Sequence, residues 1–249
     1  MNDYLHAKRY GLALLAAFFL LITPMMLLVS HIDLLAPVGD VEGLFYSLLT
    51  DSAGSSGFLV TLTILLLAAL RLKLTSKQRW NQWVQLGVIL VIGFAAKTGL
   101  KHLTQSPRPY TELLMHQLVI PNPTYFYALN ANQQDGLIEK VSAQVSPWRI
   151  QHWVGETDYS FPSGHTIFTA ICLALFGGLF VEHKRYAMAG GILVWALIVA
   201  YSRLWIGMHR PIDLMGSIVF VAAVYAVLPN MMPWSEKLFD WIKAHSPMR

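Results

Sequence analysis

The chain has 249 residues, 55% of them hydrophobic and only 13% charged, about half the charged share of an ordinary soluble domain. Net charge is +4, and the basic residues are scattered, with no basic stripe interleaved with aromatics, which argues against nucleic acid as a partner. The single cysteine, Cys172, excludes an intrachain disulfide and a cysteine-built metal site; inside an apolar run it suits a small packing residue.

Crossing a bilayer takes roughly 20 mostly apolar residues, and six stretches are predicted to do so. The first, 10–30, reads YGLALLAAFFLLITPMMLLVS after Lys8 and Arg9. Its core is too long for a cleaved leader, so it is expected to be a retained anchor, kinked at Pro24. The second is 54–72 and the third 82–103. After a long polar interval come the fourth at 163–181, the fifth at 187–206 and the sixth at 211–229. Backbone polar groups in oil must be satisfied within the segment, so each is predicted to be a helix.

Lys and Arg set the orientation. Lys8 and Arg9, then Arg71, Lys73, Lys77 and Arg79, then Lys184 and Arg185, then Lys237, Lys243 and Arg249 all fall on one side of a six-span arrangement. That side, with both termini, is expected to be cytoplasmic. The connection 31–53 has no Lys or Arg but has Asp33, Asp40, Glu42 and Asp51, and is expected outside. The interval 104–162 is too long for a simple turn. It reads either as a small extramembrane cap or as an ordinary structured loop, with DGLIEKVSAQV as a short amphipathic helix. The expected fold is therefore all-α: one polytopic membrane domain over 1–249, with six transmembrane helices and a periplasmic cap between the third and fourth.

Three polar clusters interrupt this pattern. Lys97 and Lys101 lie one helical turn apart near the outer end of the third span, followed by Arg108 and Pro109. Charges at membrane depth are functional hypotheses by default, although Lys97 fits equally a lysine snorkelling to the headgroups. Pro162-Ser163-Gly164-His165 opens the fourth span. Ser and Gly leave first-turn amides approachable, and a helix N-terminus suits an anion; alone, the stretch reads as well as a serine cap with an incidental histidine. SRLWIGMHRPID, 202–213, joins the fifth and sixth spans. There Asp213 can hold one ring nitrogen of His209 and leave the other free to attack, while Arg203 brings a planar fork for phosphate oxygens. The topology puts all three clusters at one membrane face, where they would surround an anion with several oxygens.

These residues carry a resemblance. KHLTQSPRP (101–109), PSGH (162–165) and SRLWIGMHRPID (202–213) match, in every spacing, the three-part signature of the type 2 phosphatidic acid phosphatase superfamily. The resemblance implies His209 as a nucleophile forming a phosphohistidine, Asp213 as its orienting carboxylate, and His165 as the general acid. It implies Lys101, Arg108, Ser163, Gly164 and Arg203 as ligands of the phosphoryl oxygens. Lys97 and Glu156 lie outside the signature as possible helpers.

Phosphoryl transfer asks mainly for positioning and charge stabilisation, which fixed cations can supply. No cofactor and no metal are expected, and no obligate protein partner is evident. The expected partners are the bilayer and a lipid phosphate: phosphatidylglycerol phosphate, phosphatidate, lysophosphatidate, diacylglycerol diphosphate or undecaprenyl diphosphate. The expected setting is the bacterial inner membrane with the site facing the periplasm. A phosphotransferase with the same intermediate stays open. A transporter would spread its charges through the membrane depth and favour repeats, and a silent binder would not need an oriented nucleophile.

Overall fold

The computed structural model describes residues 2–25, 29, 32–229 and 231–245. All regular structure among these residues is helical. The elements are α1 (Asn2–Ile22), α2 (Asp40–Ala53), α3 (Phe58–Leu70), α4 (Ser76–Thr104), four short helices α5 (Pro109–His116), α6 (Pro123–Tyr127), α7 (Ala131–Glu139) and α8 (Pro147–Ile150), then α9 (Gly164–Glu182), α10 (Tyr186–Trp205), α11 (Pro211–Val227) and α12 (Met232–His245).

The helix starts follow local chemistry. Thr75 and Gln78 form a reciprocal cap on α4, Ser163 caps α9, and prolines open α5 and α11, where a missing N–H costs nothing. The predicted helix in DGLIEKVSAQV instead runs Ala131–Glu139, because the cap formed by Asn130 and Gln133 starts it at Ala131, four residues before Asp135. α1 ends at Ile22, and Thr23-Pro24 form a turn; the remainder of the first predicted span lies partly outside the described residues.

Among the described residues, Ser76–His116, Gly164–Glu182 and Tyr186–Trp205 are long and apolar enough to cross a membrane. Two bent pairs, α2 with α3 and α11 with α12, raise the number to five if each is one crossing. The connection predicted at 31–53 thus contains a helix, α2, bent 71° from α3. Its small residues Gly43, Ser47, Thr50 and Ala53 recur at helical spacing and are buried, which lets neighbours come close: a Cβ at Gly43 would sit 2.2 Å from the Trp148 ring. The tail predicted beyond the sixth span likewise holds α12, which packs on α4 through Ser235 and Asn81 and through Phe239 and Trp80.

α9 is the central stave. Its apolar window is 83% buried, against 17% for that of α4, and it is apolar all round, as a fully surrounded helix must be. α1 crosses it at small residues. A Cβ on Gly11 would stand 2.5 Å from the Ala174 carbonyl oxygen, and one on Gly178 would stand 3.0 Å from the Gly11 nitrogen. Ala174 lies in a single π-helical turn, Leu173–Gly177. The outward faces stay greasy: Leu59, Val60, Ile64 and Leu67 of α3 are exposed, an arrangement that suits lipid rather than water as the surrounding medium.

A second core lies in the interval between α4 and α9. Tyr110, Leu114, Phe126, Ile138, Val141 and Trp153 pack there with Trp205, Ile206 and Met208. Tyr110 and Trp153 stack at 5.1 Å, and the Trp153 indole donates to the Ile206 carbonyl at 2.7 Å. Arg149 donates to the carbonyls of Trp205, Asp33, Leu34 and Ala36. The insert is therefore fastened to the turn between α10 and α11, the turn that carries His209.

Candidate active site

One cavity of about 320 Å³ gathers residues from four separated parts of the chain. The end of α4 contributes Lys97 and Lys101, and the link to α5 contributes Arg108. The stretch before α9 contributes Glu156 and Asp158, the first turn of α9 contributes Gly164 and His165, and the α10–α11 region contributes Arg203 and His209. The bend between α2 and α3 closes the fourth side with Ala53, Gly54, Ser55 and Phe58. Of the residues singled out in the sequence, eight line this space; Ser163 and Asp213 are fully buried and are absent from its lining.

His209 is 3% exposed and Asp213 is 0% exposed. Asp213 Oδ2 lies 3.5 Å from His209 Nδ1 and accepts the Arg210 N–H at 2.8 Å, while Oδ1 has no hydrogen-bond partner. Ser160, unmarked in the sequence, donates its hydroxyl to the same Oδ2 and stands 3.3 Å from His209 Nδ1. Both neighbours of Nδ1 can accept from it, so the imidazole is held with Nδ1 protonated and the other nitrogen bare. Burial first, then the nearby guanidinium groups of Arg108 and Arg203, hold His209 well below its usual value, which favours a neutral ring.

Ser163 is engaged in positioning the helix. Its hydroxyl accepts from the Thr166 N–H at 3.3 Å, and its own N–H donates to Ser217 at 2.9 Å. Ser217 in turn donates to the Asp213 carbonyl at 2.6 Å. One hydroxyl thus ties the start of α9, with His165, to the first turns of α11, with Asp213. His165 faces the α2–α3 bend, where a Cβ on Gly54 would come 3.0 Å from its Nε2. Lys97 lies over Gly164, with Nζ 3.4 Å from where a Cβ there would stand.

The cations are fixed from behind. Arg108 is 1% exposed; its Nε donates to the Asp158 carbonyl at 2.7 Å, and Nη1 to the Met208 carbonyl at 3.4 Å. Its Nη2 reaches Glu156 at 3.3 Å and also the Asp158 carboxylate. Lys101 donates to the Tyr159 carbonyl and lies 3.0 Å from Asp158 Oδ2. Arg203 donates to Thr50 at 2.8 Å, and its buried Nε has no partner, which leaves a donor unfilled beside the cavity. Asp158, Ser160, Ser217, Thr50 and Gly54 escaped sequence reading because no spacing marks them, although Asp158 and Ser160 both lie in the polar stretch 155–160 just before Pro162.

A pocket that sets two histidines among buried cations can receive and transfer a multiply charged oxyanion. Comparison with known proteins agrees with that chemistry. Residues 82–237 match the PAP2 superfamily. The chain is 34% identical over 191 residues to phosphatidylglycerophosphatase B of Haemophilus influenzae, covering 74% of this chain and 77% of that one. It is 34% identical over 145 residues to the protein of the same name from Escherichia coli K12, 57% of each chain. Over 63 residues it is 38% identical to a Bacillus subtilis protein named undecaprenyl-diphosphatase BcrC, 25% of this chain and 30% of that one. The cationic side chains and both histidines of the cavity lie within the matched region, and the chain belongs to the PAP2 superfamily.

Proposed function

We propose that this PAP2-superfamily phosphatase hydrolyses lipid phosphate monoesters or diphosphates through a phosphohistidine. The observation that carries the reading is the common cavity of His209, His165, Lys101, Arg108 and Arg203. In the proposed reaction the phosphoryl group sits among the three cations, which neutralise its oxygens. The bare nitrogen of His209 attacks phosphorus, the bond from phosphorus to the leaving oxygen breaks, and His165 gives that oxygen a proton. Asp213, with Ser160, holds the ring and stabilises the imidazolium. Water then attacks phosphorus, His165 takes its proton, and the phosphorus–nitrogen bond breaks to release phosphate. Lys97 and Glu156 stand at the rim as helpers.

The names of the relatives favour phosphatidylglycerol phosphate and undecaprenyl diphosphate within the wider lipid class. The apolar helices favour a substrate whose chains stay in the bilayer. The site is expected at the periplasmic face of the inner membrane, with both termini cytoplasmic and residues 104–162 forming the cap. Among the described residues, no group of three or more His, Cys, Asp or Glu side chains could hold a metal ion, and turnover is expected to persist in chelator.

The test is phosphate release from a panel of lipid phosphates in detergent micelles with chelator, comparing the parent protein with His209→Ala. The variant should release none and form no acid-labile phosphoenzyme. Equal release by both proteins sinks the nucleophile assignment, and transfer to an added alcohol in place of water would identify a phosphotransferase.

A further inference from the structure

The cationic cavity already holds a negative charge of its own. Asp158 bridges it, with one carboxylate oxygen 3.0 Å from Lys101 Nζ and the other against Arg108 Nη2. These are two of the three cations assigned above to phosphoryl oxygens. The Asp158 side chain is 52% exposed, while those of Lys101 and Arg108 are 7% and 1% exposed. The anion is therefore the half free to turn outward, and the cations are the fixed half. Their placement does not depend on the carboxylate, because the backbone carbonyls of Asp158 and Tyr159 also hold Arg108 and Lys101.

We infer that Asp158 is a specificity-determining residue, a resident counter-ion that an incoming phosphate must displace. The inference rests on the cavity being the phosphoryl site. A phosphodiester headgroup carries one negative charge, and so does the carboxylate; exchanging one for the other gains no charge neutralisation. A monoester, or the terminal group of a diphosphate, carries about −1.5 to −2 near neutral pH and gains by the exchange, because bonds between ionised partners are the strong ones. A bilayer surrounds the site with phosphodiesters. The bridge keeps that excess of monoanions from blocking the cavity while still yielding to a dianion.

The test has two arms. In the first, the parent protein hydrolyses a lipid phosphate monoester at fixed mole fraction while neutral detergent is replaced by phosphatidylcholine. The rate is expected to stay within about twofold, since that lipid presents a monoanionic phosphate without a net surface charge; strong inhibition overturns the inference. In the second, Asp158→Asn is compared with the parent for the inhibition constant of inorganic phosphate and for the thermal shift that phosphate produces. The constant should fall on the order of fivefold, and phosphatidylcholine should now inhibit. An unchanged or higher constant in a folded variant overturns the inference, and should the variant not fold, the first arm decides alone. A parent protein that neither hydrolyses the monoester nor binds phosphate defeats the phosphoryl-site reading and this inference with it, an outcome distinct from an effect missing only in Asp158→Asn.

Discussion

Ser160 shares one carboxylate oxygen of Asp213 with His209: its hydroxyl donates to Asp213 Oδ2, the oxygen that lies 3.5 Å from His209 Nδ1. The two contacts cooperate to aim the ring, and they separate under mutation. Asp213→Asn removes the charge that supports an imidazolium and can present the wrong hydrogen-bonding group, so kcat should fall by about 10²–10⁴. Ser160→Ala removes one hydrogen bond, roughly a fivefold effect. Phosphate-release kinetics on both variants check this; a larger loss for Ser160→Ala than for Asp213→Asn would make the serine the chief orienter.

The general acid is tested by leaving group. His165→Ala should slow phosphoenzyme formation from an alkyl phosphate by about 10²–10⁴, and much less from a nitrophenyl phosphate, whose leaving oxygen does not need a proton. Rapid-quench measurement of the phosphoenzyme with both substrates gives the comparison. An equal loss on the two substrates contradicts the acid role.

Gly54 limits the room beside His165, since a Cβ would sit 3.0 Å from Nε2. Its φ of −87° suits other residues, so a substitution acts through space rather than backbone strain. Gly54→Val should lower kcat by about 10- to 10²-fold through a displaced imidazole, with an unaltered melting temperature. Kinetics paired with a thermal scan check it, and unchanged kcat would place His165 in another rotamer during turnover.

Gly11 is a packing position away from the chemistry. A side chain there meets the Ala174 carbonyl at 2.5 Å, and backbone cannot yield as a flexible side chain does. Gly11→Val should destabilise the protein by about 1–3 kcal/mol, measured as a lower melting temperature in detergent, while kcat of the folded fraction holds.

Acid stability follows from Asp158. Burial alone would raise its pKa, but Arg108 and Lys101 outweigh it and bring the carboxyl from 3.8 down to about 2. A depressed folded-state value adds stability above the unfolded value of 3.8, and that stability is lost as pH falls from 3.8 toward 2. Between pH 6 and pH 3 the melting temperature of the parent should therefore drop further than that of Asp158→Asn. Equal drops would mean that the bridge contributes no net stability.

The sequence by itself determined the apolar helical character, since runs such as 187–206 have few solutions but a helix in oil, and it singled out Lys101, Arg108, His165, Arg203, His209 and Asp213 by spacing. It left α2 unrecognised, because that helix shows small residues to its neighbours and greasy ones outward, a pattern that charge counting reads as a polar connection. Only the tertiary structure brought Gly54 to His165, Asp158 to Lys101 and Arg108, Ser160 to Asp213, and Ser217 to Ser163. Local periodicity and caps are properties of consecutive residues and can be read along the chain. These pairings join residues roughly fifty or more positions apart, and they exist only where helices packed around α9, with the insert fastened to Trp205 and Ile206, bring the segments within hydrogen-bond reach.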